Sequence, residues 1–276
     1  MLAFDFMRHA FLAVTLVGLL CGVTGWFLVL RGQAFAGHAL SHIAFTGAAG
    51  AMLLGCPPLS GMALTAALAG VVLGWEPPGD TARAPDRQRG RDTATGLLLA
   101  ASLGCGALFL QWANAASSSA TLLLFGNILG VDRLTLILLC GLTILCLGAL
   151  AVIARPLLFA TLAPDLAAAR GVALRGVSVG FMVIVAVSSA ACAEVTGVLL
   201  VFSLLTGPAA TMLRLGLSPW PGLAGAASLA VLLGWAGLAL SWWSDAPVSF
   251  WISALAALAY LLAVAANSFH RRFRTF

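Results

Sequence analysis

Residues Ala10–Leu30 read Ala-Phe-Leu-Ala-Val-Thr-Leu-Val-Gly-Leu-Leu-Cys-Gly-Val-Thr-Gly-Trp-Phe-Leu-Val-Leu, without one charged side chain. As a helix rising 1.5 Å per residue, the run is about 31 Å long, the thickness of a bilayer's hydrocarbon core. A helix apolar on every face has to be covered by lipid or by other helices of its kind. Similar runs recur at His38–Leu54, Leu59–Trp75, Thr95–Ala113, Leu134–Ile153, Val177–Ala193, Gly197–Leu213, Leu223–Trp242 and Val248–Ala266. The chain is therefore expected to be an all-α polytopic membrane protein. It should have about nine transmembrane helices, or eight if one hairpin is re-entrant. The composition agrees: 62% of residues are hydrophobic and 8% charged, against roughly 25% charged in soluble domains. Spans take up so much of the 276 residues that positions 1–276 read as a single membrane domain.

Ala120–Gly130, with Phe125-Gly126-Asn127, is too short to cross and reads as a half-helix or surface helix. Gly18, Gly22 and Gly25 on the first span allow close helix packing. That span exceeds the apolar stretch of a secretory signal and another follows at once, so it is read as retained. Arginine sets the orientation. With nine spans and the N-terminus outside, four basic sites share one side. They are the Arg-rich insert 76–92, read as a flexible loop with Arg83, Arg87, Arg89 and Arg91; the loop flanked by Arg155, Arg170 and Arg175; Arg214; and Arg271, Arg272 and Arg274 at the C-terminus. The positive-inside rule makes that side the cytoplasm. Asn114–Ser119, Ala193–Thr196 and Ser244–Pro247, on the other side, contain no arginine. The expected location is a bacterial inner membrane.

The formal net charge is +5, and all 14 basic residues are arginines scattered between apolar spans. They read as loop charge at a lipid bilayer, with no nucleic-acid surface. The absence of lysine excludes a phosphate-binding loop of the Walker type. An ATP-driven process would therefore need its ATPase on another polypeptide, and this chain is read as no enzyme. The six cysteines (Cys21, Cys56, Cys105, Cys140, Cys146 and Cys192) contain no CxxC and read as small apolar residues. His38 and His42, in Gly37-His38-Ala39-Leu40-Ser41-His42, are different. Their i, i+4 spacing places two imidazoles on one helix face, within a membrane-length run. They read either as interior histidines bonded to backbone carbonyls or as a transition-metal ligand pair.

Three local sequences belong together. The first is Leu30-Arg31 followed by Gly37-His38-Ala39-Leu40-Ser41-His42-Ile43-Ala44. The second is Ala163-Pro164-Asp165-Leu166-Ala167-Ala168-Ala169-Arg170-Gly171-Val172. The third is Gly197-Val198-Leu199-Leu200-Val201-Phe202-Ser203-Leu204-Leu205-Thr206-Gly207-Pro208-Ala209-Ala210-Thr211. In this order the chain resembles the membrane permease subunits of bacterial ABC importers for zinc, manganese and iron, and Phe125-Gly126-Asn127-Ile128-Leu129 is similar to a further family segment. The resemblance implies a cytoplasmic ABC ATPase, an extracytoplasmic metal-binding protein and a second permease copy, with a homodimer favoured. It also implies a divalent metal ion in transit and no permanently bound cofactor. His42 matches the family's metal-contacting histidine, whereas His38 stands where the family usually has Asp. An imidazole in place of a hard carboxylate favours Zn²⁺ over Mn²⁺.

The second motif is similar to the family's coupling helix, here 163–171, which docks on the ATPase. Pro164 can open such a helix, Asp165 complements its dipole, Ala168 keeps it slim and Gly171 can end it. Pro208 lies inside an apolar span, where it deletes a backbone hydrogen bond; it reads as a structural kink or as a hinge beside the pore. Glu194, at the outer end of the sixth span, reads as an interfacial residue or as a cation contact at the external mouth. Asp132 reads as half of a surface ion pair with Arg133. A proton-driven carrier would need carboxylates between the ends of the spans, and none is there. A zinc protease would need the Glu of HExxH, which His38-Ala39-Leu40-Ser41-His42 lacks.

Overall fold

The structure is a computed structural model and describes residues 4–75, 84–113 and 124–273. The described residues form ten α-helices and one 3-10 turn. The helices are α1 (Asp5–Leu30), α2 (Ala34–Leu53), α3 (Pro58–Gly74), α4 (Ala84–Trp112), α5 (Arg133–Leu162), α6 (Pro164–Ala169), α7 (Leu174–Thr196), α8 (Val198–Arg214), α9 (Pro219–Ser244) and α10 (Val248–Phe273); the turn is Ile128–Gly130. Nine of the ten overlie the nine apolar runs. By length and composition, six are able to cross a membrane: α1, α4, α5, α7, α9 and α10. The other three fall short for identifiable reasons. Helices α3 and α8 have 17 residues each, and α2 carries two histidines among small residues.

Helices α1 and α7 form the centre, with 67% and 61% of their apolar stretches buried, against 11% for α4 and 17% for α10. Helix α1 packs on α5, α7, α8 and α9, while α2 and α3 lie against α7. Close approach explains the glycines of α1. A Cβ on Gly25 would fall on the carbonyl oxygen of Leu205, and one on Gly22 would lie 2.6 Å from Cα of Ala227. Side chains exposed on the outer helices are those a lipid-facing surface requires, such as Leu97, Ile137, Ile144, Val152, Leu258 and Leu261. Exposed aromatic rings gather at the helix ends: Phe4, Phe6, Trp242 and Trp243 at one, Trp75 and Trp220 at the other. The amphipathic indoles of tryptophan settle at membrane–water boundaries in this way.

Two expected loops are helical. Arg87, Arg89 and Arg91 lie within α4 rather than in a flexible loop, and Arg83 lies outside the described residues. Proline at position 85 falls in the first turn of α4, where it removes no helical hydrogen bond. Helix α5 runs past Ile153, through Pro156, to Leu162. Leu157 is fully buried and Ala154 nearly so, so packing against the bundle offsets the bond that Pro156 removes. In 120–130, positions 120–123 lie outside the described residues. Leu124 and Phe125 are helical; the chain then turns at Gly126 and makes the 3-10 turn, capped by the side chain of Asn127.

Candidate functional site

His38 and His42 are brought together as their spacing requires. Their ring centroids are 4.6 Å apart on α2, and both side chains are half-buried. The Nδ1 atom of each is buried and has no hydrogen-bond partner, so neither ring is tied through Nδ1 to a backbone carbonyl. A metal-binding histidine usually has its other nitrogen held by a carboxylate or carbonyl. Here packing does the orienting. The ring centroid of Phe202 of α8 stands 4.7 Å from that of His38, edge to face, and the Phe35 ring lies 6.5 Å away, tilted. Sequence reading passed over both rings, although Phe202 lies inside the third motif.

Among the described residues, no group of three or more His, Cys, Asp or Glu side chains is placed to hold a metal ion. One chain thus offers two imidazoles, half of a tetrahedral set. Such a pair can contact a borderline-soft cation without trapping it.

The other predicted residues lie elsewhere. Pro164 opens α6 and Asp165 follows in its first turn. Gly171 ends the helix at φ +77°, with its N–H donating to Ala168 O and the N–H of Val172 to Ala167 O, both at 3.0 Å. This six-to-one, five-to-two pair of bonds needs a residue in the left-handed region, which glycine supplies. Ala167 is fully buried against the bundle, whereas Ala168 is exposed and Leu166 is 60% exposed. Leu166 is thus an apolar knob that the motif did not single out. Pro208 is buried, and α8 runs through it unbroken. Glu194 is exposed near the end of α7 opposite α6. Asp132 does not pair with Arg133: its carboxylate caps α5, accepting from the Thr135 N–H at 2.9 Å. Hydrogen bonding from the Thr135 side chain and backbone holds the Asp132 carboxyl below its usual range. Of the cysteines, Cys21, Cys146 and Cys192 are buried, but Cys56 and Cys105 are exposed.

A polar cluster lies at the α6 end of the bundle. Arg31, between α1 and α2, donates from Nε to Gln33 Oε1 at 3.0 Å and from Nη2 to Ser178 Oγ of α7 at 3.2 Å. Its guanidinium lies 5.6 Å from the centroid of the Phe181 ring. Arg175 covers Trp75 at the same end.

The sequence pattern of the ABC 3 transport family matches residues 3–267. The chain belongs to that family. The match upholds the resemblance to metal-ion ABC permeases carried by the three motifs. A "Probable metal transport system membrane protein" of Treponema pallidum is 33% identical over 215 residues, covering 78% of this chain and 78% of that protein. The "Manganese import system permease protein ScaB" of Streptococcus parasanguinis is 27% identical over 261 residues, covering 94% of this chain and 90% of its own length. Among solved structures, one described as PsaBC from Streptococcus pneumoniae in complex with Fab superposes with a TM-score of 0.80. It is 24% identical and covers 94% of this chain and 91% of that one. That likeness establishes a shared fold for the permease.

Proposed function

We propose that this permease carries a divalent transition-metal ion into the cell, driven by ATP that a separate subunit hydrolyses. The observation that carries the reading is the His38–His42 pair, with both Nδ1 atoms buried and unpartnered in an apolar helix of an ABC 3 family member. The helices α1–α5 and α7–α10 make nine spans. The end bearing Arg31, Arg175 and Arg214 faces the cytoplasm, with the N-terminus outside and the C-terminus inside. Helix α6 at that end, through Leu166, Ala168 and its flanks, docks on the ATPase. Two copies enclose the path, each supplying two imidazoles, so that four nitrogens surround the ion. An extracytoplasmic binding protein delivers the ion, and Glu194 attracts it at the mouth. No cofactor is held permanently.

Zn²⁺ is the favoured ion, because four neutral nitrogens suit a borderline-soft metal. Mn²⁺ or Fe²⁺ is the second reading, supported by the word manganese in the name of the Streptococcus parasanguinis relative. The test is to purify the permease with its ATPase subunit. One then measures which of Zn²⁺, Mn²⁺ and Fe²⁺ co-purifies and which stimulates ATP turnover. Zn²⁺ should do both; uptake unchanged when the ATPase is absent would overturn the ATP-driven reading.

A further inference from the structure

The cluster around Arg31 joins the two parts of the molecule on which the proposed function rests. Two residues separate Gly171, which ends α6, from the first residue of α7, Leu174. Ser178 lies one turn into α7, is 1% exposed, and accepts from Arg31 Nη2. Arg31 Nε reaches on to Gln33 Oε1. Gln33 is the N-cap residue of α2: its carbonyl accepts from the Gly37 N–H at 3.3 Å, and its own N–H donates to Leu28 O at 2.9 Å. The next turn of α2 carries His38.

We propose that Ser178, Arg31 and Gln33 form a clasp that transmits the displacement of α6 to the histidine-bearing helix α2. Arg31 suits the task, because a planar guanidinium can hold Gln33 and Ser178 at once while lying over Phe181. Apolar contacts between α2 and α7 can slide, whereas a forked donor with two acceptors fixes register. Gln33 is 5% exposed, and its Nε2 is buried with no partner. Buried donors are nearly always paired, so this clasp keeps an unused bond that a second arrangement of α2 can make. Arg31 is a positioning residue, acting on the ion only through α2.

The inference rests on α6 being the docking helix, so docking and coupling are measured separately. Complexes of permease and ATPase are reconstituted in vesicles, and metal ions transported per ATP hydrolysed are compared for wild type, Ser178→Ala, Arg31→Lys, Arg31→Met and the double variant Arg31→Met/Ser178→Ala. Co-purification of the ATPase should be unchanged in all of them. The transport-to-ATP ratio should fall about threefold in Ser178→Ala and about tenfold in both Arg31 variants, since lysine keeps the charge but loses the fork. The double variant should match Arg31→Met alone, as partners in one linkage do. An unchanged ratio in Ser178→Ala, or effects that multiply in the double variant, would overturn the clasp. If Arg31→Met fails to assemble, Ser178→Ala and Arg31→Lys decide the matter. Should Leu166→Glu leave ATPase binding intact, the docking helix is what fails.

Discussion

At the scale of single residues, an imidazole pair without hydrogen-bond partners inside an apolar helix calls for a reason. Buried polar atoms nearly always have a hydrogen-bond partner, and Nδ1 of His38 and of His42 has none. If these nitrogens meet the ion, His38→Ala or His42→Ala should lower uptake about 10- to 100-fold, the range seen when a metal site loses supporting interactions. Uptake is counted per assembled complex. A loss confined to folded yield, with specific activity intact, would return the pair to a packing role. His38→Asp should keep transport and move preference toward Mn²⁺, because a hard anionic oxygen replaces a neutral nitrogen; competition between Mn²⁺ and Zn²⁺ in uptake reads this directly.

Among the elements, α6 is the one whose end-to-end chemistry was legible in advance. Proline, an acidic first turn, alanines and a terminal glycine specify a short helix with a left-handed stop, and the structure has each in place. Which face is free was not legible, because it depends on how Ala167 seats against the bundle. Replacing exposed Ala168 or Leu166 by Glu should leave the permease inserted and reduce ATPase co-purification; normal yield of the two-subunit complex would remove α6 as the docking site. Gly171→Val forces a β-branched side chain to φ +77°, at a cost of about 1–2 kcal/mol. It should weaken docking while the transmembrane helices keep their circular dichroism. Gly126 and Gly197 face each other at φ +73° and +80°. There the Asn127 N–H donates to Val195 O at 3.1 Å, so the 3-10 turn is seated on the α7–α8 corner.

Over the whole molecule, the arginines and the aromatic rings tell one story. Arg31, Arg175 and Arg214 collect at the α6 end, the last over Tyr260, and that end should be cytoplasmic. A single cysteine at position 88, in a background with the six native cysteines replaced, should resist impermeant thiol reagents in sealed cells. Labelling from outside would reverse the topology. The tight α1–α8 crossing gives a stability prediction. Gly25→Val must push against the backbone of Leu205, an overpacking cost of about 1–3 kcal/mol, and should lower folded yield. Gly104→Ala meets nothing within 4 Å and should not. Purified in detergent with its ATPase, the permease should be present in two copies by mass.

The sequence by itself determined that this is a bundle of apolar helices, that α6 starts at Pro164 and stops by Gly171, and that His38 and His42 share a face. Those outcomes depend on hydrophobic runs, terminal residues and helical period, all of which act within a few turns of chain. It also carried the family, because three motifs in fixed order are a linear property. The tertiary structure decided what depends on neighbours distant in sequence. The ring of Phe202 is set against His38 by the crossing of α8 and α2. Arg31 is joined to Ser178, 147 positions away. The helicity of 154–162 and the arginines of 87–91 escaped the hydropathy reading, which ends a span where charge and proline begin. A helix continues past that point whenever its backbone bonds are still satisfied and side chains such as Leu157 find a surface to bury against.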